Sequence, residues 1–147
     1  METKEFTIER TYNAPVKVVW EAITKKHQMK EWYFDIEKFE AKVGFEFTFE
    51  GGPPEKTYVH LCKVVEVIVM KKLSYTWVYE GYEGSSIVTF ELFEEGNKTR
   101  LILTHTGIDT FPKSNKDLVK ENFVAGWTEL IGKLLKNYVE NKPRNFG

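Results

Sequence analysis

The carboxyl-terminal part of the sequence carries one long helical pattern, and this pattern constrains the fold more than any other feature. Between residues 115 and 141, large apolar side chains recur every three or four positions and would share one face of a helix. A helix over this range is about 40 Å long at ~1.5 Å per residue, so it needs a broad apolar surface to pack against. The side chains on this face are Val119, Phe123, Trp127, Leu130, Leu134 and Tyr138.

Much of the preceding chain alternates between apolar and polar residues, which is the period of a β-strand. Short turns separate most of these segments, so the predicted strands pair antiparallel. The alternation lapses between Val64 and Val69, which favours a β-bulge or burial of both faces. We predict seven strands, over residues 4–12, 39–43, 45–50, 56–69, 73–79, 87–93 and 99–106.

Two short helices are predicted directly after the first strand. Asn13 is a candidate N-cap and Pro15 suits the first helical turn, so the first helix covers about 16–23. The second covers about 27–32. The order of elements is then strand, two short helices, six strands and one long helix. This order predicts an α+β fold in which the long helix covers the apolar face of a curved, seven-stranded antiparallel sheet.

The long helix also has a recognisable start. Ser114, with Asp117 three residues later, resembles a capping box with Asp in place of the usual Glu. No stretch of the sequence resembles an interdomain linker, and 147 residues suffice for one buried core. We therefore expect residues 1–147 to form a single domain.

Composition argues against several classes of protein. A net charge of −1 is unlike the basic excess of a dedicated nucleic-acid binder. The longest apolar runs, 67–70 and 123–127, are far shorter than the roughly 20 residues of a membrane-spanning helix, so we expect no membrane insertion. The amino terminus has no apolar stretch of signal-peptide length, and Cys62 is the only cysteine. These features favour a cytoplasmic protein without an internal disulfide.

Residues that could bind a metal or a phosphate lack the necessary spacing. His27, His60 and His105 are far apart and form no ligand-spaced pair. Residues 51–54 include two prolines, which lack the backbone N–H groups that a phosphate-binding loop uses. We expect neither a metal nor a cofactor. Cys62 lies within a predicted strand, which favours a buried thiol over a nucleophile.

Several short motifs, in this order and at this spacing, resemble the SRPBCC superfamily. The family within it that the sequence is most similar to is named after the C-terminal domain of the activator of heat-shock protein 90 ATPase. This resemblance implies the helix-grip fold of START lipid-transfer domains and the birch pollen allergen, with a cavity between the long helix and the concave sheet. The motifs are Ile8–Pro15 (IERTYNAP), Val19–Ala22 (VWEA), Trp32, Gly44, Leu73–Trp77 (LSYTW), Thr99–His105 (TRLILTH) and Gly126–Trp127.

The sequence has the residues to line such a cavity, because 15% of it is aromatic and many of these rings fall on predicted inward faces. Leu101, Leu103 and His105 alternate along one strand, so the His105 imidazole should point inward, where it could bind a ligand oxygen or act as an acid or base. Trp32 is placed near an entrance. The candidate ligand-binding residues are Trp32, Phe47, Tyr75, Trp77, Phe90, Leu103, His105, Phe123 and Trp127.

Three functions remain open. The first is non-enzymatic binding of a small hydrophobic or aromatic molecule, with no catalytic residue. The second, implied by the resemblance, is contact with a heat-shock chaperone through a basic helix face that includes Lys120, Lys133 and Lys136. The third is an enzyme of the cyclase or aromatase kind, for which His105 is the only strong candidate acid or base.

Overall fold

One antiparallel sheet and a long C-terminal helix make up most of the structure, a computed structural model that describes residues 5–53 and 55–141. The sheet has six strands within these ranges, in the order β1-β6-β5-β4-β3-β2, and each neighbouring pair is antiparallel. The helix-grip prediction is confirmed, with one strand fewer than expected. The strands are β1 (Glu5–Tyr12), β2 (Glu46–Gly51), β3 (Tyr58–Ile68), β4 (Lys72–Tyr79), β5 (Ser86–Glu95) and β6 (Lys98–Thr106).

The helices lie between β1 and β2 and after β6. No helix in the described part of the chain is long and apolar enough to cross a membrane. The C-terminal helix comprises two α-helices joined by a π-helical segment. The helices are α1 (Val16–Thr24), α2 (Lys26–Trp32), two 3₁₀ turns (Ile108–Thr110 and Lys116–Leu118), α3 (Lys120–Glu129), the π segment (Leu130–Leu134) and α4 (Leu135–Asn141).

The strand predicted over 39–43 is wrong. This segment has no ladder pairing; the amide of Phe45 closes a turn on the carbonyl of Lys42, and Gly44 adopts a φ of 93°. Val43 is 62% exposed, so the apparent alternation is not a buried face. Phe39 is buried because its ring packs edge-on against Phe47, at 4.9 Å between centroids, and not because a strand places it there.

The predicted irregularity in β3 is a β-bulge. Val64 pairs with Tyr75 of β4, whereas Glu66 pairs with Ser74, so two residues of β3 advance for one of β4. The extra residue lets the strand bend. This prediction is confirmed.

The buried face of the C-terminal helix differs from prediction in its second half. Burial recurs every four residues, whereas an α-helix has 3.6 residues per turn and would rotate these positions out of line. The wider turn of the π segment restores the phase. As a result, Leu134 is 36% exposed and Leu130 is only half-buried, although both were assigned to the buried face. The buried positions are Phe123, Trp127, Ile131, Leu135 and Val139.

The π segment is fixed to β1 by one buried hydrogen bond. The hydroxyl of Tyr12 donates to the carbonyl of Ile131 at 2.6 Å. At the end of α4, the Glu140 carboxylate accepts from the amide of Asn13 at 2.8 Å and from Lys136 Nζ at 2.7 Å. The second half of the helix is therefore anchored to the segment that follows β1.

Both predicted side-chain caps are wrong. Pro15, not Asn13, occupies the N-cap position of α1, and no side chain caps this helix. Near the C-terminal helix, Asn115 Oδ1 accepts from the amide of Asp117 at 2.9 Å, where Ser114 was predicted to act. The first helix begins where it was predicted, at Val16, whereas the C-terminal α-helix begins at Lys120, five residues after the predicted start, because residues 116–118 form a separate 3₁₀ turn.

Candidate functional site

The face of the sheet that packs on the C-terminal helix brings the predicted site residues together. Alternate side chains of a strand share one face. The face of the sheet that packs on the helix is apolar or aromatic except for a few polar groups. Eight of the nine predicted residues are buried in this interior: Phe47, Tyr75, Trp77, Phe90, Leu103 and His105 on strands, and Phe123 and Trp127 on α3.

Trp127 links α3 to three strands of the sheet. Its ring lies 5.5 Å from that of Trp77, 6.0 Å from that of Phe90 and 6.0 Å from that of His105. The preceding turn of α3 places the Phe123 ring 5.2 Å from that of His105, edge-on. These contacts make the helix and the sheet two walls of one aromatic interior.

Trp32 is buried at the end of α2, outside this set. Its indole N–H donates to the carbonyl of Ala22 at 2.9 Å, which ties α2 to α1. Its ring stacks on Tyr33 at 4.8 Å, and Tyr33 in turn lies 6.1 Å from Trp127. Trp32 therefore contacts the site through Tyr33, which is not among the predicted site residues.

A chain of hydrogen bonds crosses the interior at His105. The indole N–H of Trp127 donates to His105 Nδ1 at 3.0 Å, and His105 Nε2 lies 2.8 Å from Ser86 Oγ. Ser86 Oγ lies 2.7 Å from the carbonyl of Trp77, to which it donates. Because an indole can only donate, Nδ1 is the acceptor, and the proton of the neutral ring is on Nε2, which donates to Ser86.

The electrostatics of His105 agree with this assignment. Burial lowers the pKa of the imidazole to about 3, so the ring is neutral at physiological pH. Both nitrogens already have partners, and the side chain is fully buried. In this arrangement His105 holds Trp127 and Ser86 in place and has no nitrogen free to transfer a proton.

A second polar group is a pair of phenols. The hydroxyl oxygens of Tyr33 and Tyr75 lie 2.6 Å apart, and either can be the donor. Burial, the largest cause, raises the pKa of both well above the ordinary value, so both keep their protons. In the sequence, the aromatic run Trp32-Tyr33-Phe34 at the end of α2 is the feature that points to Tyr33.

Phe34 covers one end of the interior. Its ring stacks on Phe49 at 4.4 Å, and Phe49 stacks on His60 at 4.4 Å. Burial lowers the pKa of His60 to about 4, and its neutral ring donates from Nδ1 to the carbonyl of Tyr58 at 3.1 Å. A Cβ at Gly51 would lie 2.7 Å from Phe34 Cε1, so glycine is needed for Phe34 to lie over β2.

Beside this aromatic cluster, contacts join the start of β3 to the segment before α3, because Tyr58 pairs with Gly51 in the sheet. The hydroxyl of Tyr58 donates to Asp117 Oδ2 at 2.7 Å. Lys56 Nζ lies 5.2 Å from the ring of Tyr58 and 5.4 Å from that of Tyr82, within the range of cation–π contacts. Polar and cation–π contacts therefore hold this edge of the sheet next to the rings of Phe34, Phe49 and His60.

The remaining candidate groups are the Cys62 thiol, possible metal ligands and the basic helix face. Burial raises the pKa of the Cys62 thiol, which disfavours the nucleophilic thiolate. Within residues 5–53 and 55–141, no three side chains of His, Cys, Asp or Glu are grouped to hold a metal ion. On the basic helix face, Lys133 and Lys136 pair with Glu129 and Glu140, at 3.9 and 2.7 Å.

A known protein family matches almost the whole chain. Residues 13–140 match the model of the family described as "Activator of Hsp90 ATPase homolog 1-like protein". No curated protein matches the sequence. The superfamily and the family that the sequence motifs indicated are both confirmed, and with them a fold that supports ligand binding in general.

Solved structures share this fold. The CV1439 protein of Chromobacterium violaceum superimposes with a TM-score of 0.79 at 20% identity, covering 93% of this chain and 97% of that one. The BH1534 protein of Bacillus halodurans gives 0.73 at 28% identity, covering 94% and 98%. CalU16 of Micromonospora echinospora gives 0.71 at 27% identity, covering 95% and 76%.

Proposed function

Since the chain belongs to the Activator of Hsp90 ATPase homolog 1-like family, we propose that it binds a small hydrophobic or aromatic molecule between the C-terminal helix and the sheet, without catalysing a reaction. The observation that carries this proposal is the aromatic interior around Trp127 and Trp77, which includes only a few polar groups. Apolar walls with a few placed hydrogen-bonding groups are typical of small-molecule sites.

The polar groups of this interior favour binding over catalysis. His105 is neutral and bonded through both nitrogens, and Cys62 is a protonated thiol. General acid–base catalysis requires a group that can exchange a proton with the substrate near the working pH. The arrangement supports recognition by shape, ring contact and hydrogen bonds.

Entry of a ligand requires a part of the interior that can move. The segment over 33–45 has no regular secondary structure, and it begins with the half-buried Tyr33 and Phe34. Segments with few backbone hydrogen bonds open at lower free energy than strands of a sheet. A ligand therefore enters beside Phe34, between α2 and β2.

An indole NMR titration tests the proposal, with lipids, flavonoids and aromatic acids as the ligands. We expect the Trp77 and Trp127 signals to shift saturably with one of these classes. Trp20 is the internal control, because it lies on α1 and its signal should stay fixed. If no class moves Trp77 or Trp127, or if all indole signals move together without saturation, binding in this interior is contradicted.

The family name supports a second candidate, contact with a chaperone of the heat-shock protein 90 class through the basic helix face. Lys120 and Lys133 are exposed there, although the nearby acids offset part of the charge. Stimulation of the chaperone's ATPase by this protein would be abolished on changing Lys120, Lys133 and Lys136 to Glu. Stimulation that survives these changes would exclude this face.

A further inference from the structure

Tyr33 and Tyr75 form a hydrogen bond between their hydroxyls, and this bond uses only one of the two hydroxyl hydrogens. Two hydroxyls carry two protons, and the 2.6 Å contact between them uses one. Neither oxygen has another hydrogen-bonding partner in the described part of the chain. One hydroxyl hydrogen therefore lacks a protein acceptor. Because an unmade hydrogen bond in a buried place is costly, an acceptor oxygen brought there by a ligand would be favoured.

The surroundings of this pair are aromatic. The Tyr75 ring lies 5.1 Å from Phe47 and 6.0 Å from Phe90, while the Tyr33 ring lies 6.0 Å from Phe49 and 6.1 Å from Trp127. Flat apolar rings pack well against such walls. The low dielectric of this environment also strengthens a hydrogen bond made within it. The pair is thus a polar donor inside a site otherwise suited to an aromatic ring system.

The two tyrosines differ in how firmly they are held. Tyr75 is fully buried on β4, which is paired on both sides by β3 and β5. Tyr33 is half-buried and directly follows α2, where the irregular segment over 33–45 begins. Tyr75 is therefore the fixed member of the pair, and Tyr33 is the member that can move aside.

We propose that Tyr75 selects the ligand, by donating its hydroxyl hydrogen to an acceptor oxygen on an aromatic molecule. Tyr33 shifts enough to admit the ligand oxygen, which accepts the hydrogen that the bond between the two hydroxyls leaves over. This inference rests on the proposed binding function and narrows its ligand class to aromatic molecules that carry a carbonyl or another acceptor oxygen.

Two probes of nearly the same shape test this proposal. The carbonyl of 2-acetonaphthone accepts a hydrogen bond, whereas 2-isopropenylnaphthalene has a CH₂ group in place of that oxygen. We expect the wild-type protein to bind the ketone about 3- to 10-fold more tightly, the range of one net buried hydrogen bond. Tyr75→Phe should remove this preference. Tyr33→Phe, the matched control, should keep it, because Tyr75 still carries the hydroxyl hydrogen that the ketone accepts.

The outcomes separate this proposal from the one on which it rests. Equal affinities for the two probes in the wild type, or a preference retained in Tyr75→Phe, would overturn the role of Tyr75 and leave ligand binding intact. If neither probe binds but a lipid or another class shifts the Trp77 and Trp127 signals, the aromatic ligand class is overturned and ligand binding stands; if neither probe and no such class binds, both proposals are contradicted. If Tyr75→Phe does not fold, the carbonyl stretching frequency of 2-acetonaphthone bound to the wild type decides. A shift to lower frequency on binding supports the hydrogen bond, and an unshifted band refutes it.

Discussion

Acid should destabilise the folded protein through its buried histidines, and His105 allows the effect to be calculated. Burial lowers its pKa from the ordinary 6.5 to about 3. Between these values the unfolded chain binds a proton that the folded chain does not, so this stabilisation is complete above pH 6.5 and is lost as the pH falls towards 3. At pH 4.5, two units below 6.5, the loss is about 2.7 kcal/mol at ~1.36 kcal/mol per unit.

His60 adds a similar contribution. Burial lowers its pKa to about 4, so at pH 4.5 it too remains neutral in the folded protein and is charged in the unfolded chain. Together the two histidines should lower the free energy of unfolding by about 5 kcal/mol between pH 7 and pH 4.5. That is a large part of the stability of a typical domain.

Urea unfolding at pH 7 and pH 4.5 measures this effect in the wild type, in His105→Gln and in His27→Gln. Glutamine does not titrate, so the change in unfolding free energy between the two pH values should be about 2–3 kcal/mol smaller in His105→Gln. His27, which is exposed, is substituted as the matched control. All other ionisable groups are the same in the three proteins, so the difference between them reports the substituted histidine. An equal pH dependence in all three would refute the argument.

Two further substitutions test the packing around the site, each by urea unfolding. Tyr12→Phe removes the donor to the buried carbonyl of Ile131 and should lower the free energy of unfolding by about 1–3 kcal/mol; an unchanged value would mean that this bond does not hold the π segment. Gly51→Ala brings a Cβ to 2.7 Å from Phe34 and should cost about 1 kcal/mol, with a shifted Phe34 resonance. Its control, Gly126→Ala, meets nothing within 4 Å in α3 and should instead stabilise by about 0.5–1 kcal/mol.

The strands were predictable because one face of the sheet is covered and the other is not. Val88, Phe90 and Leu92 alternate with exposed or half-exposed residues, and the structure buries all three. The same rule failed at 39–43, because a turn at Gly44 leaves Val43 in solvent while Phe39 packs from an irregular segment. Alternation over three residues does not distinguish a strand from this arrangement.

The C-terminal helix and the candidate site both include residues that local sequence patterns do not identify. The phase of the C-terminal helix changes at the π segment, which no residue type marks, so Ile131 and Leu135 were missed from the buried face. Tyr33 was missed because its role depends on a contact with Tyr75, 42 residues away in the sequence. Both depend on tertiary packing, which a single sequence does not display.

The π segment divides the C-terminal helix into two parts with separate tasks. α4 is fastened by Glu140 to the amide of Asn13, and Tyr12 holds the junction through Ile131. α3, before the junction, supplies Phe123 and Trp127 to the interior. Substitutions in α3 can therefore change the shape of the aromatic interior while α4 and its attachment to the end of β1 keep the helix in position.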